Sequence, residues 1–146
     1  MIYDNRSRDP LEKKAQKAIG ALFTPDKIDK SILQTIDYEY PGRRIAVEMR
    51  YDEFTCVCPF SGLPDFAVLF MRYTPHRKLV EMKSLKYYLY AFRNVKIYNE
   101  HAINKILEDL TRLLNPRQMT IEGRFTVRGG IANTVTAVYP FRQAKK

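Results

Sequence analysis

From Ile45 onward the chain alternates. Ile45, Val47, Met49 and Tyr51 point one way, the two-residue period of a half-buried strand. A turn-rich stretch, Cys58-Pro-Phe-Ser-Gly-Leu-Pro-Asp65, follows, and Phe66–Tyr73 then reads as a second, more apolar strand that Pro75 ends. After Glu81 the period changes. Leu85, Tyr88, Leu89 and Phe92 recur at helical spacing. Ile103, Ile106, Leu107, Leu110 and Leu114 form the stripe of a second helix, with Asn99 as its expected N-cap and Asn115-Pro116 as its stop. Two further strands are predicted around Met119–Val127 and Thr134–Tyr139, parted by Gly129-Gly130. Upstream, residues 1–35 are charged and weakly patterned, with Leu11, Ala15, Ala18 and Leu22 suited to a short amphipathic helix.

The predicted order is therefore β-β-α-α-β-β, an α+β domain. Consecutive strands joined by short turns pair antiparallel, and the helices are expected to cover one face. A four-stranded sheet with two open edges invites closure by self-association. The pattern divides the chain into an N-terminal extension (1–40), a single domain (41–142) and a tail (143–146).

Length and composition narrow the class. At 146 residues the chain has the size of one domain. No apolar run approaches the roughly 18 residues of a membrane helix, and the first residues lack an export signal's apolar core. Two cysteines do not make a disulfide framework and suit a reducing cytoplasm. A formal charge of +9 favours an anionic partner without choosing among them.

Several residues stand out for their chemistry. Cys58 lies between a strand and a Pro-Gly-Pro loop, and Asp65 starts the next strand. That turn brings a thiol and a carboxylate to one end of the sheet, a nucleophile and a proton relay. A cysteine near a strand end is, however, more often a small core residue. Cys56, two residues before, is expected on the same side as Cys58, as a packed neighbour. With His76 and His101 as the only histidines, no cluster compels a metal site, and none is expected. Lys83 and Lys86 share a face at a helix start, where backbone N–H groups and lysines together would hold a phosphate. Arg128-Gly-Gly130 follows a strand and could grip phosphate as well. No G-x-G-x-x-G occurs, which excludes a dinucleotide bound in the Rossmann manner. Glu100, in the first turn of the second helix, could cap that helix or accept paired N–H donors of a guanine-like ring.

Taken in order, Cys58-Pro-x-Ser-Gly-x-Pro-Asp65, Val80-Glu-Met-Lys-Ser-Leu-Lys-Tyr-Tyr88, Phe92-Arg-Asn94, Glu100 and Arg128-Gly-Gly-Ile131 closely resemble NADPH-dependent 7-cyano-7-deazaguanine reductase, the nitrile reductase of queuosine biosynthesis. The likeness covers about residues 45–132, and residues 1–40 add nothing to it. It implies a tunnelling fold, in which β-β-α-α-β-β units join across subunits into a barrel. Short members of this kind are typically decamers of two stacked pentamers with sites between subunits. The resemblance makes Cys58 the nucleophile that forms a thioimide with the nitrile carbon and Asp65 the proton donor. Glu100 anchors the deazaguanine ring, Val80, Glu81 and Met82 line the substrate, and Lys83, Lys86 and Arg128 hold NADPH. Asn99 stands where the family usually has a histidine, and Met82 where serine or leucine is more usual. An asparagine hydrogen-bonds but does not carry a proton as imidazole does.

A nitrile accepts hydride poorly; its thioimide, once protonated, accepts it more readily. Two NADPH are required, with an imine between the two reductions, so the site should exclude water. Two other readings remain open. One is a same-fold amidinotransferase acting on a nitrile base already in tRNA, as in archaeosine formation, against which the Lys83/Lys86 block argues. The other is a basic RNA-binding module that stacks bases on some of the ten tyrosines. The reductase reading expects a free small-molecule base as substrate, with no direct nucleic acid and no membrane as partner.

Overall fold

The computed structural model describes residues 24–141. The helix expected around Leu11–Leu22 and the tail lie outside the described residues.

Four strands form the main sheet: β2 (Val47–Val57), β3 (Pro64–Thr74), β5 (Gln118–Arg128) and β6 (Ile131–Tyr139). They are antiparallel in the order β2-β3-β5-β6, so β2 and β6 are its edges. Helices α1 (Met82–Tyr90) and α2 (Asn99–Leu114) connect β3 to β5, with a 3₁₀ turn, Ala91–Asn94, after α1. The α+β order expected from the periodicity is present, and β6 begins three residues before the expected Thr134.

The hydrophobic stripes explain the layering. On β3, Ala67, Leu69, Met71 and Tyr73 are buried, and Met119, Ile121 and Phe125 of β5 lie on the same side. Against them pack Ile103, Ile106, Leu107, Leu110 and Leu114 of α2, and Leu85, Tyr88 and Leu89 of α1. Gly123 permits the close approach of α2, because a Cβ there would lie 2.6 Å from Cδ1 of Ile103. The opposite face is polar, with Glu48–Arg72 paired at 3.0 Å and Arg124 stacked 4.4 Å over the Phe70 ring.

In β2 the alternation changes phase. Val47, Met49 and Tyr51 are half-buried, but the next inward residues are Phe54 and Cys56. A register shift between Tyr51 and Phe54 accounts for this, since an extra residue in one strand exchanges its faces.

Two elements are absent from the sequence reading. Short strands β1 (Thr35–Asp37) and β4 (Lys78–Val80) pair antiparallel as a separate ribbon. Residues read as an extension also reach the core, where Ile28 and Leu33 are buried. One expectation is corrected. Asn99 is the first residue of α2 rather than its N-cap; Tyr98 holds the cap position with extended backbone and no side-chain cap. At the other end Asn115 adopts φ 43° and donates its N–H to Thr111 O, ending the helix as expected.

Candidate active site

The end of β2 is tied to the start of α2 by backbone bonds. Val57 N–H donates to Val95 O at 2.9 Å, and Ile97 N–H donates to Val57 O at 3.0 Å. This parallel bridge sets Asn99 and Glu100 beside Cys58, across more than 40 residues of sequence.

The loop after β2 closes on itself. Cys58 N–H donates to Leu63 O and Gly62 N–H to Cys58 O, both at 2.9 Å. Gly62 has φ +70°, a conformation side chains rarely adopt. The closed loop turns Ser61 back so that its N–H donates to Cys58 Sγ at 3.5 Å. The Ser61 side chain, then its backbone N–H and that of Phe60, hold the Cys58 thiol below the ordinary cysteine range, against opposing effects of burial and the Asp65 charge. Cys58 is partly exposed, whereas Cys56 is fully buried. Burial, followed by the charges of Asp65 and Cys58, pushes the Cys56 thiol up to about 12. The two thiols thus differ in burial, with Cys58 just past the last residue of β2.

Asp65 lies opposite Cys56 in the β2–β3 register. Arg128 Nη1 pairs with its Oδ1 at 3.1 Å, and Arg128 Nη2 donates to Pro64 O at 2.8 Å. Arg128 stands just past a second register shift, between Phe125 and Arg128. The turn that follows uses Gly129 and Gly130 at φ +56° and +79°. Glu100, exposed in the first turn of α2, accepts from Asn133 Nδ2 at 3.2 Å. Asn133 was missed by the sequence reading: it lies 33 residues from Glu100, and only the β5–β6 hairpin brings it there. Asn99 Oδ1 is buried without a partner.

Cys58, Asp65, Asn99, Glu100, Arg128 and Asn133 line one cleft of about 270 Å³. Ligand pockets commonly begin near 300 Å³, so a single chain supplies a cleft of marginal size.

The remaining site residues lie elsewhere. Met82, Lys83 and Lys86 line a separate groove of about 400 Å³ with Met49, Tyr51 and Tyr90. The groove meets β2 between Met49 and Glu53, whereas Cys58 follows the strand's last residue, so groove and cleft are offset along β2. The Tyr51 hydroxyl is buried in that groove without a partner, and burial, then the charges of Tyr90 and Glu53, push it up to about 12. Val80 is buried, its N–H donating to the Tyr73 hydroxyl at 3.1 Å. Glu81 caps α1 by accepting from Lys83 N at 2.8 Å and Ser84 N at 2.7 Å, and these N–H groups hold its carboxyl below the usual range. The expected phosphate seat on those backbone donors is therefore corrected: Glu81 occupies them, leaving the lysine side chains. A groove of about 540 Å³ lies on the open sheet face around Phe70 and contains none of the expected residues. Among the described residues no group of three or more His, Cys, Asp or Glu side chains is placed to hold a metal. No helix of the described residues is long and apolar enough to cross a membrane.

The sequence profile described as "QueF-like protein" matches residues 64–144. A protein of Caldanaerobacter subterraneus subsp. tengcongensis named NADPH-dependent 7-cyano-7-deazaguanine reductase is 57% identical over 118 residues, covering 81% of this chain and 88% of that one. This chain belongs to the QueF-like family. A Caldicellulosiruptor bescii relative of the same name is 50% identical over 129 residues, 88% of the QueF-like chain and 98% of its own. The crystal structure of the archaeosine synthase QueF-Like in the apo form superposes with a TM-score of 0.59 at 19% identity, over 68% of this chain and 96% of that one. That likeness shows that this QueF-like chain shares its fold.

Proposed function

We propose that this chain reduces the nitrile of 7-cyano-7-deazaguanine to 7-aminomethyl-7-deazaguanine with two NADPH, through a thioimide at Cys58, in the queuosine pathway of the cytoplasm. One observation carries the mechanism: a partly exposed cysteine with a lowered thiol pKa shares a cleft with two carboxylates, Asp65 and Glu100. The names of the relatives supply the substrate and the cofactor.

Each residue has a separable task. Cys58 attacks the nitrile carbon, and the Ser61 N–H contact favours its reactive, ionised form. Asp65 handles the proton that the nitrile nitrogen must gain. Glu100, steadied by Asn133, accepts the ring N–H donors of the base. Asn99 cannot relay a proton, and its unpartnered Oδ1 is an acceptor awaiting a substrate N–H.

The second groove fits a phosphorylated dinucleotide. Lys83 and Lys86 present two exposed cations, and the Tyr51 hydroxyl beside them is buried without a partner. Lys83 and Lys86 would hold the phosphates from this groove and Arg128 from the cleft. When bound, NADPH supplies hydride to the substrate carbon. Met82, 69% exposed at the groove's rim, and Val80 and Glu81 beside it would line the substrate from this side.

The separation of groove and cleft along β2 argues for more than one chain per site. With β2 and β6 open as edges, copies would join head to tail into a closed ring, the groove of one facing the cleft of the next. Two stacked pentamers meet that requirement.

The experiment is mass spectrometry of the protein mixed with 7-cyano-7-deazaguanine and no NADPH. A mass gain equal to the base, absent in Cys58→Ala, is expected. A wild-type protein that gains no mass while consuming NADPH with this base would sink the covalent mechanism.

A further inference from the structure

Arg128 makes the least expected contact in the cleft. Its guanidinium grips two groups of adjacent residues, the Asp65 carboxylate at 3.1 Å and the Pro64 carbonyl at 2.8 Å. Two anchors fix a planar fork in orientation as well as position. The Asp65 side chain is only 16% exposed, so the pair is less screened than a surface ion pair. The contact sits at the hairpin end: a register shift precedes Arg128, which pairs with Ile131, and two positive-φ glycines follow it.

A lone carboxylate beside Cys58 works against the thiolate, as the Asp65 charge does here. Arg128, paired with that carboxylate, holds it in one place and partly neutralises its charge. Lys83 and Lys86, by contrast, stand in the other groove of the same chain.

We propose that Arg128 is a positioning residue for Asp65 in formation of the Cys58 adduct, a step that precedes any use of NADPH. This rests on the nitrile-reductase reading above. The Cys58 S–H bond breaks and its proton passes to the Asp65 carboxylate. The sulfur electron pair forms the S–C bond to the nitrile carbon. One π pair of the C≡N bond takes the proton back from Asp65, leaving C=N–H and the carboxylate paired with Arg128 as before. Nothing is oxidised or reduced, and no further reactant is needed.

The test is the rate of adduct formation with 7-cyano-7-deazaguanine in the absence of NADPH, followed by mass, with the NADPH KM measured separately in full turnover. Arg128→Gln is expected to slow the adduct step by on the order of tenfold to a hundredfold, and Arg128→Lys to recover part of the loss. In an Asp65→Asn background, Arg128→Gln is expected to cost nothing further, a result that a general structural defect would not give. Adduct rates at the wild-type value with a raised NADPH KM would overturn the proposal and leave Arg128 as a cofactor clamp alone. Independent slowing in the Asp65→Asn background would overturn it too. Failure of the wild-type protein to form any adduct would overturn the underlying reading, and is distinguished by the absence of adduct in every chain tested.

Discussion

At the Val57 end of β2 the groups that matter are held by main-chain bonds: Val57 to Val95 and Ile97, Cys58 to Leu63 and Gly62. At the Met49 end the corresponding groups are long side chains, Lys83 and Lys86, standing in solvent on the first turns of α1. The difference follows the two tasks. Bond formation at sulfur needs reacting atoms within a few tenths of an ångström of their positions, which backbone ties provide. Capture of a phosphorylated cofactor needs charge, and flexible ammonium groups supply it without fixed geometry.

The largest effect should come from the Val57 end. Cys58→Ala is expected to lower turnover by on the order of a thousandfold or more and to abolish the mass gain, while Cys56→Ala keeps the adduct. Retained turnover in Cys58→Ala would erase the contrast between the two ends.

At the Met49 end, the double variant Lys83→Ala/Lys86→Ala should raise the NADPH KM by about tenfold to a hundredfold, from the loss of charge-assisted contacts. Its adduct formation without NADPH should match the wild type. Co-refolding it with Cys58→Ala should give back turnover at NADPH levels well below the raised KM, because one interface then pairs an intact cleft with an intact groove. No recovery would mean that both ends serve a site within one chain.

A smaller effect should follow from crowding the contact between α2 and the sheet. Gly123→Ala pushes a Cβ against Ile103 and is expected to cost about 1–3 kcal/mol in urea unfolding, as overpacking does. The smallest is a shift in pH. The Ser61 contacts lower the Cys58 thiol, so its thiolate persists to more acid pH than in an ordinary cysteine. Ser61→Ala removes the largest of these effects, and the midpoint of Cys58 alkylation by iodoacetamide should move to higher pH. Cys56, at about 12, should stay unlabelled near neutrality throughout.

The long elements were legible because burying one face imposes a period. Ile103 through Leu114 and Ala67 through Tyr73 each carry it without interruption. Strands β1 and β4, three residues each, are too short to display a period. Tyr98 carries no capping side chain, so the start of α2 was read one residue late. In the cleft, the Cys58-to-Asp65 motif and Glu100 were legible by resemblance to a known family. Asn133 was not, since its contact depends on hairpin register. Nor could spacing along the chain reveal that Lys83 and Cys58 line separate depressions.

The bridge between Val57 and Lys96 has a consequence for how the protein comes apart. Cys58 and Glu100 hang from the same pair of main-chain bonds, so local opening at this point removes nucleophile and base anchor together. Amide hydrogen exchange at Val57 and Ile97 should therefore accelerate in step on warming, at the temperature where thermal inactivation begins.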